Sequence, residues 1–146
     1  MKTFHVRAAA LLLTGLAVAA GVVHAHCEIP CGIYGDMTRI ILLKEDITTI
    51  EKSMNQIQEL SAKSDALSLN QAVRWIDNKD EHSGKIQETV TQYFLTQRVK
   101  AVPEKAAAYG KYLTQVTTLH QMLVEAMKCK QTLDLDHVKQ LRALVD

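Results

Sequence analysis

The hydrophobic positions of this chain recur at helical spacing over nearly all of residues 36–146. In the first part of this stretch, two apolar series with a seven-residue period run side by side: Ile40, Ile47 and Met54, and Leu43, Ile50 and Ile57. Positions with that period share one face of an α-helix, so we predict that this seam faces the core. Asp36 is a candidate N-cap of the helix, and residues 61–65 are typical of the connection that follows it.

Three further amphipathic segments follow the first. The second starts near Ser68 and resumes its apolar pattern after the polar residues 77–84, which are either continuous helix or a break. Pro103 is well tolerated in a first helical turn, and we expect it to open a third helix. Asp134 or Asp136 is a candidate cap of a short last helix. Four such segments with short connections and no alternating strand pattern predict an all-α fold, an antiparallel four-helix bundle.

The start of the chain has the order of a cleavable export signal. Lys2 and Arg7 are basic, residues 8–23 carry no charged side chain, and small residues then precede His26. The uncharged run is shorter than the roughly 20 residues that a spanning helix needs. We therefore predict that residues 1–25 are removed and that the protein is exported, to the periplasm or outside the cell, with no stable membrane association after cleavage. An uncleaved membrane anchor and a cytoplasmic protein that loses a leader are the alternatives.

Length limits the number of domains, and charge limits the class of partner. Removing 25 of the 146 residues leaves 121, which is enough for one domain. The removed segment carries two basic and no acidic side chains, which turns the formal net charge of +1 into −1. Charges of both signs are interspersed along the chain, so we expect no nucleic-acid partner.

The residues after the predicted cleavage site offer nitrogen and sulfur donors together. A free terminus at His26 would supply an α-amine beside the imidazole, and Cys27 and Cys31 would add two thiols and a backbone nitrogen. Such a set suits a thiophilic transition metal, copper or nickel, more than magnesium or calcium. An α-amine cannot coordinate a metal while it is part of a peptide bond, so metal binding would require cleavage before His26.

These residues, which we call the hook (residues 26–35), resemble the start of the mature nickel superoxide dismutases. Chains of that family begin with His-Cys, three residues ending in Pro, then Cys-Gly, an aliphatic residue and Tyr, and residues 26–34 read His-Cys-Glu-Ile-Pro-Cys-Gly-Ile-Tyr. Residues 92–98 are the best further match, and residues 36–146 are similar to the family's right-handed four-helix bundle. The resemblance implies a nickel superoxide dismutase domain over residues 26–146.

The resemblance also implies roles for single residues. His26 would contribute its α-amine and, in the oxidised state, its imidazole as an axial ligand. Cys27 would contribute its deprotonated backbone nitrogen and its thiolate, and Cys31 the second thiolate. Tyr34 resembles the hook tyrosine that borders the substrate path, and Tyr93 resembles a second tyrosine near the site. The implied reaction converts superoxide to dioxygen and hydrogen peroxide by Ni(III)/Ni(II) cycling, in a homohexamer with one nickel ion per subunit.

One feature of the family is missing from its usual position. Members commonly orient the first imidazole with a glutamate of the first helix and an arginine of a neighbouring segment. Here the glutamate position falls near Ile41 or Leu42, which cannot accept a hydrogen bond through their side chains. Substitutes of the right charge are present, namely the acidic Glu45, Asp80 and Glu81 and the basic Arg39, Arg74 and Lys79.

Two other functional classes fit parts of the sequence. An exported helical protein that carries copper or nickel without turnover would need a similar hook. A small interaction protein would instead join Cys27 to Cys31 in a structural disulfide. The remaining candidates for chemistry are interpreted as structural: Cys129 as a buried thiol, and as packing, contact or surface residues Tyr109, Tyr112, His82, His120 and His137.

Overall fold

The computed structural model describes residues 35–146, and they form an all-α bundle. Its helices are α1 (Asp36–Ser61), α2 (Ala66–Glu88), α3 (Tyr109–Gln131) and α4 (Leu135–Val145), and a π-helical segment (Thr89–Arg98) continues α2. α1 packs against α2 and α4, and α3 packs against the same two helices, so the four surround one core. Short connections after α1 and α3 make successive helices antiparallel neighbours. The prediction of an all-α bundle is confirmed.

The core is built from one stripe of each helix. Every member of the predicted α1 seam is buried except Ile40, which is partly buried and packs against the others. The buried apolar cluster contains Leu43, Ile47, Ile50, Met54, Ile86, Val90, Met122, Ala126, Cys129, Val138 and Leu141. The seven-residue period therefore identified the buried face of α1 correctly.

The starts of α1 and α2 differ slightly from the sequence prediction. Gly35 occupies the N-cap position of α1 and provides no side-chain hydrogen bond, whereas Asp36 is the first helical residue. Its negative charge is favourable there because the N-terminal end of a helix carries a partial positive charge. Asp65 caps α2 by accepting a hydrogen bond from the backbone nitrogen of Ser68 at 2.9 Å, so α2 begins two residues earlier than expected.

In the middle of the chain, α2 is unbroken and α3 starts later than predicted. Residues 77–84 are continuous helix. Pro103 does not open α3, because its carbonyl accepts from the backbone nitrogen of Ala106 and the carbonyl of Ala106 accepts in turn from Tyr109. Both bonds span three residues, as in a turn, and the α-helical register is established only from Tyr109 onward.

The last helix is capped by Asp134. Its carboxylate accepts from the backbone nitrogen of Asp136 at 2.9 Å, which leaves Asp136 in the first turn of α4. Within residues 35–146, no helix is both long and apolar enough to span a bilayer.

Candidate active site

The first turn of α1 lies against the π-helical segment. The Tyr93 hydroxyl donates to Oδ1 of Asp36 at 2.6 Å and accepts from Nε and Nη2 of Arg98 at 3.1 and 2.7 Å. Arg98 Nε also lies 2.6 Å from the same Asp36 oxygen. We call these three residues the Tyr93 cluster. Because Asp36 follows the hook directly, the cluster lies where the hook joins the bundle.

Two guanidinium groups flank the ring of Tyr93. The Cζ atoms of Arg98 and Arg39 lie 4.9 and 5.5 Å from the ring centroid, within the range of cation–π attraction. Phe94 packs its ring edge-on against Tyr93 at a centroid distance of 5.1 Å. Tyr93 is 6 % exposed, so a nearly buried phenol lies beside two cations and one carboxylate.

These contacts shift the pKa values of the cluster in opposite directions. The hydrogen bond from Tyr93, and then the charge of Arg98, lower the pKa of Asp36. Burial and the hydrogen bond to Asp36 raise the pKa of Tyr93, although Arg98 opposes this. At neutral pH the Asp36 carboxylate is therefore ionised and the phenol keeps its proton.

The π-helical backbone explains how Arg98 reaches Tyr93. In an α-helix, side chains five residues apart point about 140° away from each other. The π-helical pattern joins residues five apart, as in the bond from the Val99 nitrogen to the Phe94 carbonyl at 2.9 Å. Two side chains follow the same spacing, since Thr96 Oγ1 and Gln97 Nε2 donate to carbonyls five residues earlier.

A cleft of about 440 Å³ opens beside the cluster, between the π-helical segment and α3. Its walls combine charged, hydroxyl, amide and apolar side chains: Asp36, Phe94, Arg98, Val99, Thr114, Gln115, Thr118 and Leu119. Asp36 and Arg98 thus belong both to the Tyr93 cluster and to the wall of the cleft.

Most of the predicted site residues precede the part of the chain that the structure describes. His26, Cys27, Cys31 and Tyr34 lie outside the described residues, and their predicted roles stay predictions. Tyr93 is described, and it lies at the end of the bundle to which the hook is covalently joined.

Of the six substitutes considered for orienting the first imidazole, Arg39 is the one beside Tyr93. Lys79 is buried elsewhere, where its Nζ donates to the carbonyls of Cys129 and Lys130 at 2.7 and 2.6 Å. Glu81 pairs with Lys85 at 2.7 Å.

Sequence reasoning did not select Asp36 or Arg98 as site residues. Two signals were available: Asp36 is the first charged residue after the hook, and Arg98 ends the 92–98 segment that resembles the family.

Residues 35–146 contain no group of three or more His, Cys, Asp or Glu side chains arranged to hold a metal ion. Two of the histidines instead contact carboxylates within the bundle. His82 lies 2.7 Å from Asp46, and His137 lies 2.7 Å from Glu125. His120 is exposed.

Cys129 has the environment of a structural thiol. Its side chain is fully buried in the core, and burial raises the pKa of the thiol to about 11. A thiol that stays protonated at neutral pH is a poor metal ligand, because the thiolate is the ligand form.

Tyr109 and Tyr112 lie at the start of α3 with ring centroids 6.0 Å apart.

A helical bundle preceded by a run of nitrogen and sulfur donors indicates a small all-α metalloprotein. The family model of the nickel-containing superoxide dismutases matches residues 21–146, and the chain belongs to this family. The matched range includes the hook and the whole bundle. Members of the family are oxidoreductases that contain nickel and act on superoxide. No curated protein and no solved structure matches the chain.

Proposed function

We propose that this protein is a superoxide dismutase in which His26, Cys27 and Cys31 hold one nickel ion per subunit. The family match over residues 21–146, which includes the hook, is the observation that carries the proposal. When bound, nickel would supply one-electron chemistry by alternating between Ni(III) and Ni(II), so that two superoxide ions and two protons yield dioxygen and hydrogen peroxide. The match favours this function over the metal carrier, which performs no turnover.

The donors of the hook fit this metal. Two thiolates and an anionic amide nitrogen donate electron density, which lowers the nickel potential toward the range in which superoxide can be both oxidised and reduced. Soft sulfur and nitrogen ligands also discriminate against magnesium and calcium. The third cysteine does not compete, because the Cys129 thiol is buried and protonated.

The Tyr93 cluster and the neighbouring Arg39 contribute electrostatics and a fixed proton. Arg39 and Arg98 place two cationic side chains beside the phenol, and cationic side chains near a site favour the approach of an anion such as superoxide. The Tyr93 proton is held in the hydrogen bond to Asp36, and its raised pKa keeps the phenol neutral. We assign Tyr93, together with Tyr34, to bordering the substrate path and ordering water there.

Export and assembly are further parts of the proposal. We infer cleavage after residue 25, because only then does His26 gain a free α-amine.

The homohexamer follows from the family resemblance, and exposed apolar side chains on α2 support a contact between copies of the chain. Leu69, Val73 and Ile76 recur at helical spacing and are 67, 49 and 42 % exposed. Native mass spectrometry of the processed protein and fractionation of the host cell test the two inferences separately.

Electron paramagnetic resonance of the purified, processed protein tests the central proposal. We expect a rhombic Ni(III) signal split by one nitrogen, in protein whose mass shows His26 as the first residue, together with superoxide turnover. C31S should lose the nickel, whereas the matched control C129A should keep it. Correctly processed, nickel-loaded protein that stays silent even after oxidation would contradict the dismutase and favour the carrier.

A further inference from the structure

We propose that the π-helical segment positions the hook by fixing Asp36, the first helical residue after it, through Tyr93 and Arg98. The inference rests on the proposed function, because it gives Asp36 and Arg98 a role in holding the metal-binding residues in place. Neither residue is assigned to contact the nickel or the substrate.

Contacts within α1 do not fix the start of this helix. The first backbone N–H groups of any helix lack intrahelical acceptors, and Gly35 supplies no side-chain cap. The bond from the Arg39 nitrogen to the Gly35 carbonyl is long, at 3.4 Å. Uncapped helix ends fray, so contacts from another element are needed to hold the first turn of α1 in place.

Asp36 receives such contacts from the π-helical segment. Its Oδ1 accepts from the Tyr93 hydroxyl and from Arg98 Nε, each at 2.6 Å. An exposed ion pair alone contributes little, and the Asp36 side chain is 60 % exposed. Here, however, the carboxylate also accepts from a phenol that is 6 % exposed and is itself fixed by Arg98. The buried ring therefore holds the exposed carboxylate in one position.

The contact between Tyr93 and Arg98 depends on the π-helical backbone. Tyr93 and Arg98 are five residues apart, and an α-helical backbone would turn one of them about 140° away from the other. π-Helical turns within longer helices are rare and are frequently found at functional sites. The π-helical segment lies against the first turn of α1, directly after the hook. Metal sites need supporting contacts of this kind, because small displacements of a ligand weaken binding.

Substitution of Arg98 tests the inference with two measurements. In the metal-free, processed R98Q protein we expect the backbone amides of residues 39–41 to exchange hydrogen about fivefold faster, as the first turn of α1 frays. In the nickel-loaded protein we expect release of nickel to a chelator to accelerate by about the same factor. Y93F keeps the buried ring and the contact between Arg98 and Asp36, but it removes the bond from the phenol to Asp36 and the bonds from Arg98 to the phenol. It should therefore accelerate both measurements as well.

Arg142 provides a matched control. It pairs with Glu51 at 2.7 Å, and its side chain is 40 % exposed against 34 % for Arg98, so R142Q breaks a comparable ion pair away from the hook. R142Q should change neither amide exchange at residues 39–41 nor nickel release. The inference is supported if R98Q and Y93F change both measurements and R142Q changes neither.

The other outcomes overturn the inference in distinguishable ways. Unchanged exchange in R98Q and Y93F would show that the Tyr93 cluster does not fix the start of α1. Faster exchange with unchanged nickel release would show a purely structural contact. If processed wild-type protein retained no nickel at all, the proposed function would fail first and the positioning role would fall with it.

Discussion

Two carboxylates that are packed between helices, Asp46 and Glu125, each pair with a histidine, yet their pKa values shift in opposite directions. Burial raises the pKa of Asp46 and outweighs the hydrogen bond with His82. Burial acts on Glu125 in the same direction, but hydrogen bonds with Lys128 and His137 outweigh it and lower its pKa. Lys128, which lies 2.9 Å from Glu125, lowers its pKa through a hydrogen bond as well as through its charge, whereas Lys85 acts on Asp46 through its charge alone.

This difference predicts opposite pH dependences for E125Q and D46N. Because the folded-state pKa of Glu125 is lowered, its ionised form stabilises the fold above the ordinary value of 4.5, and this contribution is lost as pH falls through the folded pKa. We expect E125Q to lower the free energy of unfolding by about 2 kcal/mol at pH 7 and by less at pH 3.5. Urea titrations at both pH values measure the change.

D46N should show the reverse trend. A raised folded-state pKa means that the fold favours the protonated form of Asp46 over the ionised form. The stabilisation from this preference is present below the ordinary value of 3.8 and is lost as pH rises through the folded pKa. The stability of D46N relative to wild type should therefore increase with pH. Differences from wild type that do not vary with pH in either variant would contradict both predictions.

Cys129 should resist alkylation in the folded protein. Its thiol is fully buried, and its pKa of about 11 leaves almost no thiolate at pH 8. We expect iodoacetamide to leave Cys129 unmodified in native, processed protein and to modify it fully in denaturant, as measured by mass spectrometry of peptides. Modification of native protein at the rate of the denatured chain would show that the core around Cys129 opens readily.

At the scale of helices, Lys79 joins α2 to the end of α3. Its buried Nζ donates to the carbonyls of Cys129 and Lys130, which lie in the last turn of α3 and have no later helical donor of their own. The same Nζ lies 2.9 Å from Asp80, whose side chain is half exposed. The two carbonyl contacts are therefore the interactions most shielded from water.

We expect K79M to destabilise the protein by about 3 kcal/mol, because two carbonyls at the end of α3 lose their buried donor. D80N removes only the exposed partner and should change the free energy of unfolding by less than about 0.5 kcal/mol. Urea unfolding of both variants tests this. Equal destabilisation by the two substitutions would mean that the ion pair, and not the carbonyl contacts, carries the stability.

The sequence allowed the helices to be predicted more accurately than their ends. The buried stripe of α1 follows from a period that any α-helix imposes, so it could be predicted from residue types alone. The late start of α3 could not be predicted in this way, because Pro103 suits a turn as well as the first turn of a helix. Asp36 was expected to cap α1 and instead binds Tyr93 and Arg98. That contact depends on the π-helical spacing, which apolar periodicity does not reveal.

For the molecule as a whole, the core and the hook are separate parts of the sequence. The buried apolar cluster begins at Leu43 and draws its members from all four helices, whereas the predicted ligands precede Gly35. Stability of the bundle and binding of the metal should therefore be separable by changes at the start of the chain. The Tyr93 cluster lies in the bundle, at the first helical residue after the hook.

A single extra residue before His26 should separate metal binding from folding. A processed chain that starts with an added glycine keeps every side chain of the hook, but its His26 nitrogen lies in a peptide bond and its terminal amine is displaced by one residue. We expect the metal-free form to keep the helical circular dichroism and the melting temperature of the chain that starts at His26. Nickel affinity and superoxide turnover should fall by more than about a hundredfold, beyond the usual effect of losing an outer contact of a metal ligand. An extended chain that bound nickel with unchanged affinity and an unchanged paramagnetic spectrum would show that the α-amine is not a ligand, and cleavage before His26 would then serve export alone.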